Sequence, residues 1–285
     1  MDGRDFKVDC PACGAKKTFK RFYDEKEMAL LSEEYGICDR IDHCGYEKRP
    51  ENETVETVPT PKEPKPINTL PLSLVERSLE NTGLDCLSKF LKQHWGRQAD
   101  IVLKDYLVAS VKLKNVWQPL FWLISDKNTV HSGKIMSYKM QGNEPKRYKY
   151  GMKVSWIHSK FKDFNYQHMT FGSHLLSRYP LKKVAVVESE KTALIMACHS
   201  PQYVWLATGS LQSLQEEYLP DLKGRDVVLF PDKGDKAYSY WRKKLSEFKE
   251  KNLAKSIKIS NFVSKQEILQ DGDDIADYVI YNLEK

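Results

Sequence analysis

The sequence predicts an α/β protein: a mainly parallel sheet flanked by helices, preceded by an α+β basic lobe and by a small ribbon at the N-terminus. Three observations carry this. From Lys183 onward short apolar runs alternate with helical stretches, residues 70–182 pass from helical to strand-like periodicity, and four of the six cysteines lie within residues 1–50. Regular β/α alternation argues for parallel strands covered by helices.

With 285 residues, 41% of them hydrophobic, the chain has material for one large core or two modest ones beside a small module. No apolar run reaches the ~18–20 residues of a membrane span. The opening MDGRDFKVDC has no secretory apolar stretch. A cytoplasmic, reducing setting without a membrane partner is expected, so the cysteines read as thiols or metal ligands before disulfides. The net charge of +6 is unevenly spread: residues 134–182 hold ten Lys/Arg against only Glu144 and Asp163. Such a concentration is expected where a polyanion docks, a solvated basic face being the alternative.

The N-terminal module reads Cys10-Pro-Ala-Cys13, then 24 residues, then Cys38-Asp-Arg-Ile-Asp-His-Cys44-Gly45. Two cysteine knuckles joined by a hairpin-length segment are the pattern of a tetrahedral structural zinc site. Gly14 and Gly45 each follow a knuckle cysteine and suit the turn around a metal. Cys10, Cys13, Cys38 and Cys44 are the expected ligands, with His43 able to replace Cys44. The alternative, four unrelated thiols, leaves a segment poor in apolar residues without the staple that so small a module needs.

Residues 51–69 contain four prolines and read as an extended linker between a ribbon at 1–50 and a basic lobe at 70–182. Leu72, Val75 and Leu79, then Leu84, Leu87, Phe90, Leu91 and Trp95, predict two short helices parted at Asn81-Thr82-Gly83. From Tyr106 to Trp156 the pattern is strand-like, with turns at Gly133 and at Gly142-Asn143. In the last domain, 183–285, strands are expected at Val184–Val187, Tyr203–Ala207, Val227–Phe230 and Ser256–Ile259. Helices are expected at Lys191–His199, Gln212–Tyr218, Ala237–Lys249 and Ile275–Leu283. Cys86 and Cys198 sit in apolar helical patterns as core thiols, His199 ends a helix as a cap, and the seven histidines do not cluster in sequence.

Acidic residues close three of these segments: Val187-Glu188-Ser189-Glu190-Lys191, Phe230-Pro231-Asp232-Lys233-Gly234-Asp235, and Asp271-Gly272-Asp273-Asp274. Ligand sites of parallel sheets gather at the carboxyl ends of strands, so these carboxylates are placed to converge. Clustered Asp and Glu suit Mg²⁺ or Mn²⁺, which hold phosphate oxygens. Glu190 reads as the start of a helix, where a carboxylate favours the positive dipole end. Lys191 reads equally as a surface lysine or a phosphate contact.

This order of motifs resembles the Toprim domain of bacterial-type primases and topoisomerases, with Trp205–Ser210 similar to its second strand and glycine turn. The ribbon ahead of it resembles that of bacterial and phage primases, and Gly133–Tyr138 with Pro145–Tyr148 resembles their basic lobe. The whole is similar to primase-like Toprim proteins carried by mobile elements of Bacteroidetes. The resemblance implies Glu188 as metal ligand or general acid/base and Asp232 as the first aspartate of an Asp-x-Asp motif. The second aspartate of that motif falls at Gly234, so either Asp235, one position late, or Asp274 takes its place. Catalytic Mg²⁺ or Mn²⁺, a single-stranded DNA template, nucleoside triphosphates and a separate replicative helicase are the implied partners. Lys139, Lys146, Arg147, Lys149, Lys153 and Lys191 are the expected nucleic-acid contacts. The implied activity is synthesis of short RNA primers by nucleotidyl transfer. A non-catalytic, degenerate Toprim binding protein is the alternative. A Toprim nuclease lacks an evident nucleophile or P-loop here, and a topoisomerase lacks room for a gate.

Overall fold

The computed structural model describes residues 7–24, 29–40, 44–50, 66–148 and 154–283. His43, Lys149, Lys153 and most of the expected linker lie outside the described residues. Contacts divide the chain into two units, Met1–Pro64 and Lys65–Lys285.

The first unit is built from strands of two or three residues: β1 (Lys7–Val8), β2 (Phe19–Arg21), β3 (Tyr23–Asp24), β4 (Ala29–Leu30), β5 (Gly36–Cys38) and β6 (Glu47–Lys48). They form an antiparallel sheet in the order β1-β2-β5-β6 and a β3-β4 hairpin. Among the described residues its buried cluster is Cys10, Phe19 and Cys38, with Cys44 and Tyr46 packed against it. So small a core cannot hold a fold by itself. The four cysteine sulfurs supply what is missing: Cys10, Cys13, Cys38 and Cys44 bring their Sγ atoms within 4.8 Å of one another. Cys10 and Cys44 stand 3.8 Å apart, close to the ~3.8 Å tetrahedron edge that zinc–sulfur bonds of ~2.3 Å require. Gly14 and Gly45 have φ of 67° and 60°, so each knuckle turns through the left-handed region that glycine favours.

In the second unit the helical start runs further than expected. After α1 (Leu72–Ser78) and α2 (Cys86–Trp95) comes a third helix, α3 (Arg97–Asp105), opened by Gly96 at φ 48°. The residues before α1 are tied down rather than free: Leu70 bridges Val130, and Asn165 donates to the Pro66 carbonyl. β7 (Ala109–Leu113), β8 (Val116–Ile124), β9 (Val130–Ile135) and β12 (Ser155–Trp156) make an antiparallel sheet ordered β12-β9-β8-β7. β10 (Tyr138–Gln141) and β11 (Glu144–Arg147) form a hairpin between them in sequence, turning at Gly142-Asn143 as expected. Gly133 is no turn. It lies inside β9, where an added Cβ would fall 2.7 Å from Leu120 and 2.9 Å from Ile157, so close packing explains it.

After α4 (Leu175–Arg178) the chain alternates: β13 (Lys183–Val187), α5 (Glu190–His199), β14 (Tyr203–Ala207), β15 (Asp226–Leu229), α6 (Asp235–Glu250), β16 (Ser256–Ile259) and α7 (Ile275–Leu283). The four strands are all parallel, in the order β14-β13-β15-β16. β13 is central and buried from Val184 to Val187, the continuous apolar run that a strand covered on both faces needs. The expected helix at Gln212–Tyr218 is instead two 3₁₀ turns, Leu211–Ser213 and Glu216–Tyr218, because its polar residues offer no apolar stripe to bury. α5 is buried along most of its length and packs on α2, α3 and α7 as well as on the sheet. One hydrophobic cluster therefore runs from Leu87 in α2 to Ile280 in α7. Tyr106 pins the join: its hydroxyl donates to the Trp205 carbonyl (2.9 Å) and accepts the Trp205 N–H (3.0 Å). Among the described residues, no helix is long and apolar enough to cross a membrane.

The ribbon's dependence on metal is testable by elemental analysis. The purified protein is expected to carry one zinc per chain, and Cys38→Ser to lose it. Hydrogen exchange should then rise across residues 7–50 and stay unchanged over 66–283. Full zinc occupancy in the variant would rule the site out.

Candidate active site

The carboxyl ends of β13 and β15 lie side by side, since Val186 pairs with Leu229. Glu188 follows β13 directly and Asp232 stands three residues beyond β15. Glu188 is held through its backbone: its carbonyl accepts the Gly209 N–H (2.7 Å). The Asp232 loop is held by its neighbour Lys233, whose ammonium donates to the carbonyls of Gln266 (2.7 Å) and Leu269 (2.6 Å). Those bonds bring in the last acidic segment.

Asp274 arrives by that segment and caps α7. Its Oδ1 accepts the N–H groups of Ala276 (2.7 Å) and Asp277 (3.2 Å), while Asp277 accepts the Asp274 N–H (2.9 Å) in return. The other oxygen accepts the hydroxyl of Thr192 in the first turn of α5, and Ser189 caps that helix through the Thr192 N–H (3.1 Å). Two helix starts are thus joined at one point. The positive ends of both helices favour negative charge there.

The carboxylates raise one another's pKa. Asp232 is pushed up to about 8, first by burial and then by Asp274, Glu188 and Asp277, against the pull of Lys191. Glu188 is raised by burial and by Asp274 and Glu190, although the Leu211 N–H and Lys134 work the other way. Asp274 is raised by burial and by Asp277, with Lys191 and the Thr192 hydroxyl opposing. The structure therefore brings Glu188, Asp232 and Asp274 together and adds Asp277. Asp235 stands apart from them as the first residue of α6, exposed, on a pocket of about 470 Å³ that it shares with Asp232. Among the described residues, only the four cysteines bring three or more ligand atoms within 4.8 Å of one another, so no three of these carboxylates meet that closely. The donor set is all carboxylate, which suits a hard divalent cation, and the raised pKa values mark a shortage of positive charge.

The cations sit differently from their expected roles. Lys191 is neither a surface lysine nor a free phosphate contact: its side chain is 12% exposed and faces Glu144 (3.1 Å) and Asp277 (3.8 Å). Burial lowers its pKa, but Asp277, Asp274 and Glu144 outweigh that and raise it. Lys146 leans on Glu144 at 2.6 Å. Lys139, opposite Lys146 in the hairpin register, lies over the Tyr148 ring at 4.8 Å. Lys139 and Arg147 are exposed.

Glu190 does open α5, yet the dipole is not its main partner. Its carboxylate is buried and takes both oxygens to Lys134 of β9, at 2.8 and 3.0 Å. The same ammonium donates to the Gly209 carbonyl at 3.2 Å. Gly209 is the residue whose N–H holds Glu188, so Lys134 braces the Glu188 turn from the antiparallel sheet. Two of the histidines share one aromatic cluster: His158 stacks on Tyr166 at 4.0 Å, and His168 accepts the Tyr166 hydroxyl at 2.8 Å. Lys134 and this cluster were not legible beforehand, because contacts between distant strands leave no local signal. The Asp274/Asp277 pair has one, since its spacing is that of a capping box.

These features define a class: an α/β protein with half-buried carboxylates at the carboxyl edge of a parallel sheet and a separate four-cysteine ribbon. The chain belongs to the family described as a domain of unknown function (DUF6371), whose model matches residues 85–233. Residues 2–58 match a zinc beta-ribbon finger family. No curated protein matches the chain. Among solved structures it is similar to the primase fragment of the bacteriophage T7 primase-helicase protein, at 11% identity and a TM-score of 0.44, over 97% of this chain and 98% of that one. It is also similar to the E. coli primase catalytic core (9% identity, TM-score 0.42, 73% of each chain). A third is a DnaG primase catalytic domain bound to single-stranded DNA (9%, 0.44, 74% and 72%).

Two outcomes follow. Lys134→Met leaves Glu190 buried without its partner and should cost about 3–5 kcal/mol in urea unfolding, whereas Lys134→Met/Glu190→Leu should recover most of it. Equal losses in both variants would show that the pair is not the brace. Without added divalent cations, the raised Asp232 pKa stabilises the second unit fully below its unfolded value of 3.8 and loses that contribution as pH rises toward about 8. His158 and His168, lowered by burial, act in the opposite sense. The difference between wild type and Asp232→Asn isolates the carboxyl: the wild type's melting temperature should fall relative to the variant's from pH 5 to 8. A constant difference would remove the assigned shift.

Proposed function

We propose that this protein is a primase-like enzyme with a Toprim-type site that makes short RNA primers on single-stranded DNA by Mg²⁺- or Mn²⁺-dependent nucleotidyl transfer in the cytoplasm. The observation that carries this reading is the convergence of Glu188, Asp232 and Asp274, three carboxylates from separate segments at the carboxyl edge of the sheet, whose pKa values are raised by burial and then by neighbouring acids. Support also comes from the sequence order of these acids, which resembles the Toprim pattern, and from the zinc-ribbon match ahead of them.

On this reading Asp232 and Asp274 offer the oxygens for a divalent cation, and Asp235 does not. Such an ion, when bound, supplies the positive charge that triphosphate oxygens require. Glu188, with its raised pKa, takes the proton of the attacking hydroxyl. Lys191 tempers the repulsion among the acids. Lys139 and Arg147, with Lys149 and Lys153, hold template phosphates, and Tyr148 offers a stacking face. Nucleoside triphosphates, template DNA and a separate replicative helicase are the implied partners.

A second reading has its own observation. Asp274 already spends its oxygens on the α7 cap and on Thr192, which fits a non-catalytic nucleic-acid-binding module. Primer synthesis on single-stranded DNA with ribonucleotides separates the two. Glu188→Gln should lower the rate by roughly 10²–10⁴-fold with DNA affinity unchanged, the range of a lost general base. Asp235→Asn should stay active. A wild-type protein that binds DNA but makes no primer with either metal would leave the binding module as the function.

A further inference from the structure

Beyond β14 the chain makes a second hollow, on the Glu188 side of the sheet. It has a volume of about 650 Å³ and is lined by Ser210, Gln212, Ser213, Gln215, Tyr218 and Tyr240, with Glu217 at its wall. This is within the size range of small-ligand pockets. Its place is fixed by Gly209, which directly precedes the lining residue Ser210 and gives its N–H to the Glu188 carbonyl at 2.7 Å.

The lining selects the chemistry. Hydroxyls, primary amides and two phenol rings suit a neutral, planar group rich in donors and acceptors. The one acidic lining side chain is Glu217, which disfavours phosphate. A neighbouring cation, Lys244, donates to Gln215 at 2.7 Å and pairs with Glu247 at 2.9 Å. The hollow is also rigid. Gln215 donates to the Tyr240 hydroxyl (2.9 Å) and to the Gln212 carbonyl (2.9 Å), and Ser210 and Ser213 share a hydrogen bond of 2.6 Å. Tyr218 is held edge-on by His168, with ring centroids 4.9 Å apart. The Gln212 side chain is exposed at the rim.

We infer that this hollow is a nucleobase subsite, in which one base of the single strand stacks on Tyr240 and Tyr218 and meets the Gln212 amide at its edge. The inference rests on the nucleic-acid reading of the Glu188 site and deepens it. Phosphates are held elsewhere, by the exposed cations of the β10–β11 hairpin. The subsite gives the protein a base preference next to its acidic centre.

The test uses the full-length protein, short homopolymer DNA oligonucleotides of each base, and an abasic oligonucleotide of the same length. Tyr240→Leu should weaken binding of base-bearing DNA about tenfold or more, the scale of one lost stacking contact, and leave abasic binding and the salt slope unchanged. Gln212→Ala, at an exposed position that carries no packing, should keep overall affinity but alter the ranking of the four homopolymers. It carries the test alone if the Tyr240 variant does not fold. Wild-type ranking in Gln212→Ala with wild-type affinity in Tyr240→Leu would overturn the subsite. So would an equal loss on abasic DNA. A wild-type protein that binds abasic and base-bearing DNA alike, with strong salt dependence, would also remove the subsite and leave phosphate docking intact. No binding to any oligonucleotide would remove both readings.

Discussion

A lysine and a glutamate taken out of water together pay a desolvation cost of several kcal/mol per ion, repaid only by close geometry and further hydrogen bonds. Lys134 and Glu190 meet that condition. They share two contacts under 3.1 Å, and the Gly209 carbonyl takes a third bond from the ammonium. The pair joins β9 of the antiparallel sheet to the start of α5 on the parallel sheet. Hydrophobic contact holds the two sheets together, through Tyr106, Phe171 and Trp205, but it is tolerant of small slips. A buried ion pair is not. Its cost makes the register between the sheets specific, and the Glu188 turn sits directly on it.

From that brace the electrostatics of the acidic edge follow. Four carboxylates lie close to two helix N-termini, and both Lys191 and Lys146 stand 3.8 Å from Asp277. The helix ends and the Thr192 hydroxyl offset part of the repulsion. Burial first, and then the repulsion that remains, raise the pKa values of Glu188, Asp232 and Asp274. Strain of this kind is kept where the neutralising partner comes from outside the chain, which is why perturbed carboxyls in a cleft point to a binding site rather than to a core.

The parallel sheet was readable because each of its strands is a short apolar run bounded by turn residues, and the knuckles because cysteine spacing is local. That Glu188 and Asp232 lie just past apolar strands was readable for the same reason, Glu188 directly after β13 and Asp232 three residues beyond β15. The places of Asp235 and Asp274 were not, because they depend on where α6 begins and on how Lys233 ties down residues 266–269. α3 was missed since Gly96 looks like the end of a helical region, whereas its backbone at φ 48° simply parts two helices. Gly133 misled in the opposite direction, as the neighbours that exclude a Cβ come from β8 and Ile157.

Charge gives the clearest case of what sequence cannot count. The excess of lysine and arginine over residues 134–182 looks like one basic surface, but several of its members are already paired. Lys134 is consumed by Glu190, Lys146 by Glu144, and Arg178 by Asp105 at 2.7 Å, while Lys182 donates to the Pro201 carbonyl. What is left among the described residues is narrower: Lys139 and Arg147 on one hairpin, and the exposed Lys160 and Lys162 beside the Trp156–Tyr166 aromatic cluster. Affinity for a polyanion scales with the cations free to displace counterions, not with those in the sequence. A surface with few free cations and several half-exposed rings relies more on bases and less on phosphates. On the nucleic-acid reading proposed above, it would favour an unpaired strand, whose bases are available to stack, over a duplex that presents mainly its backbone.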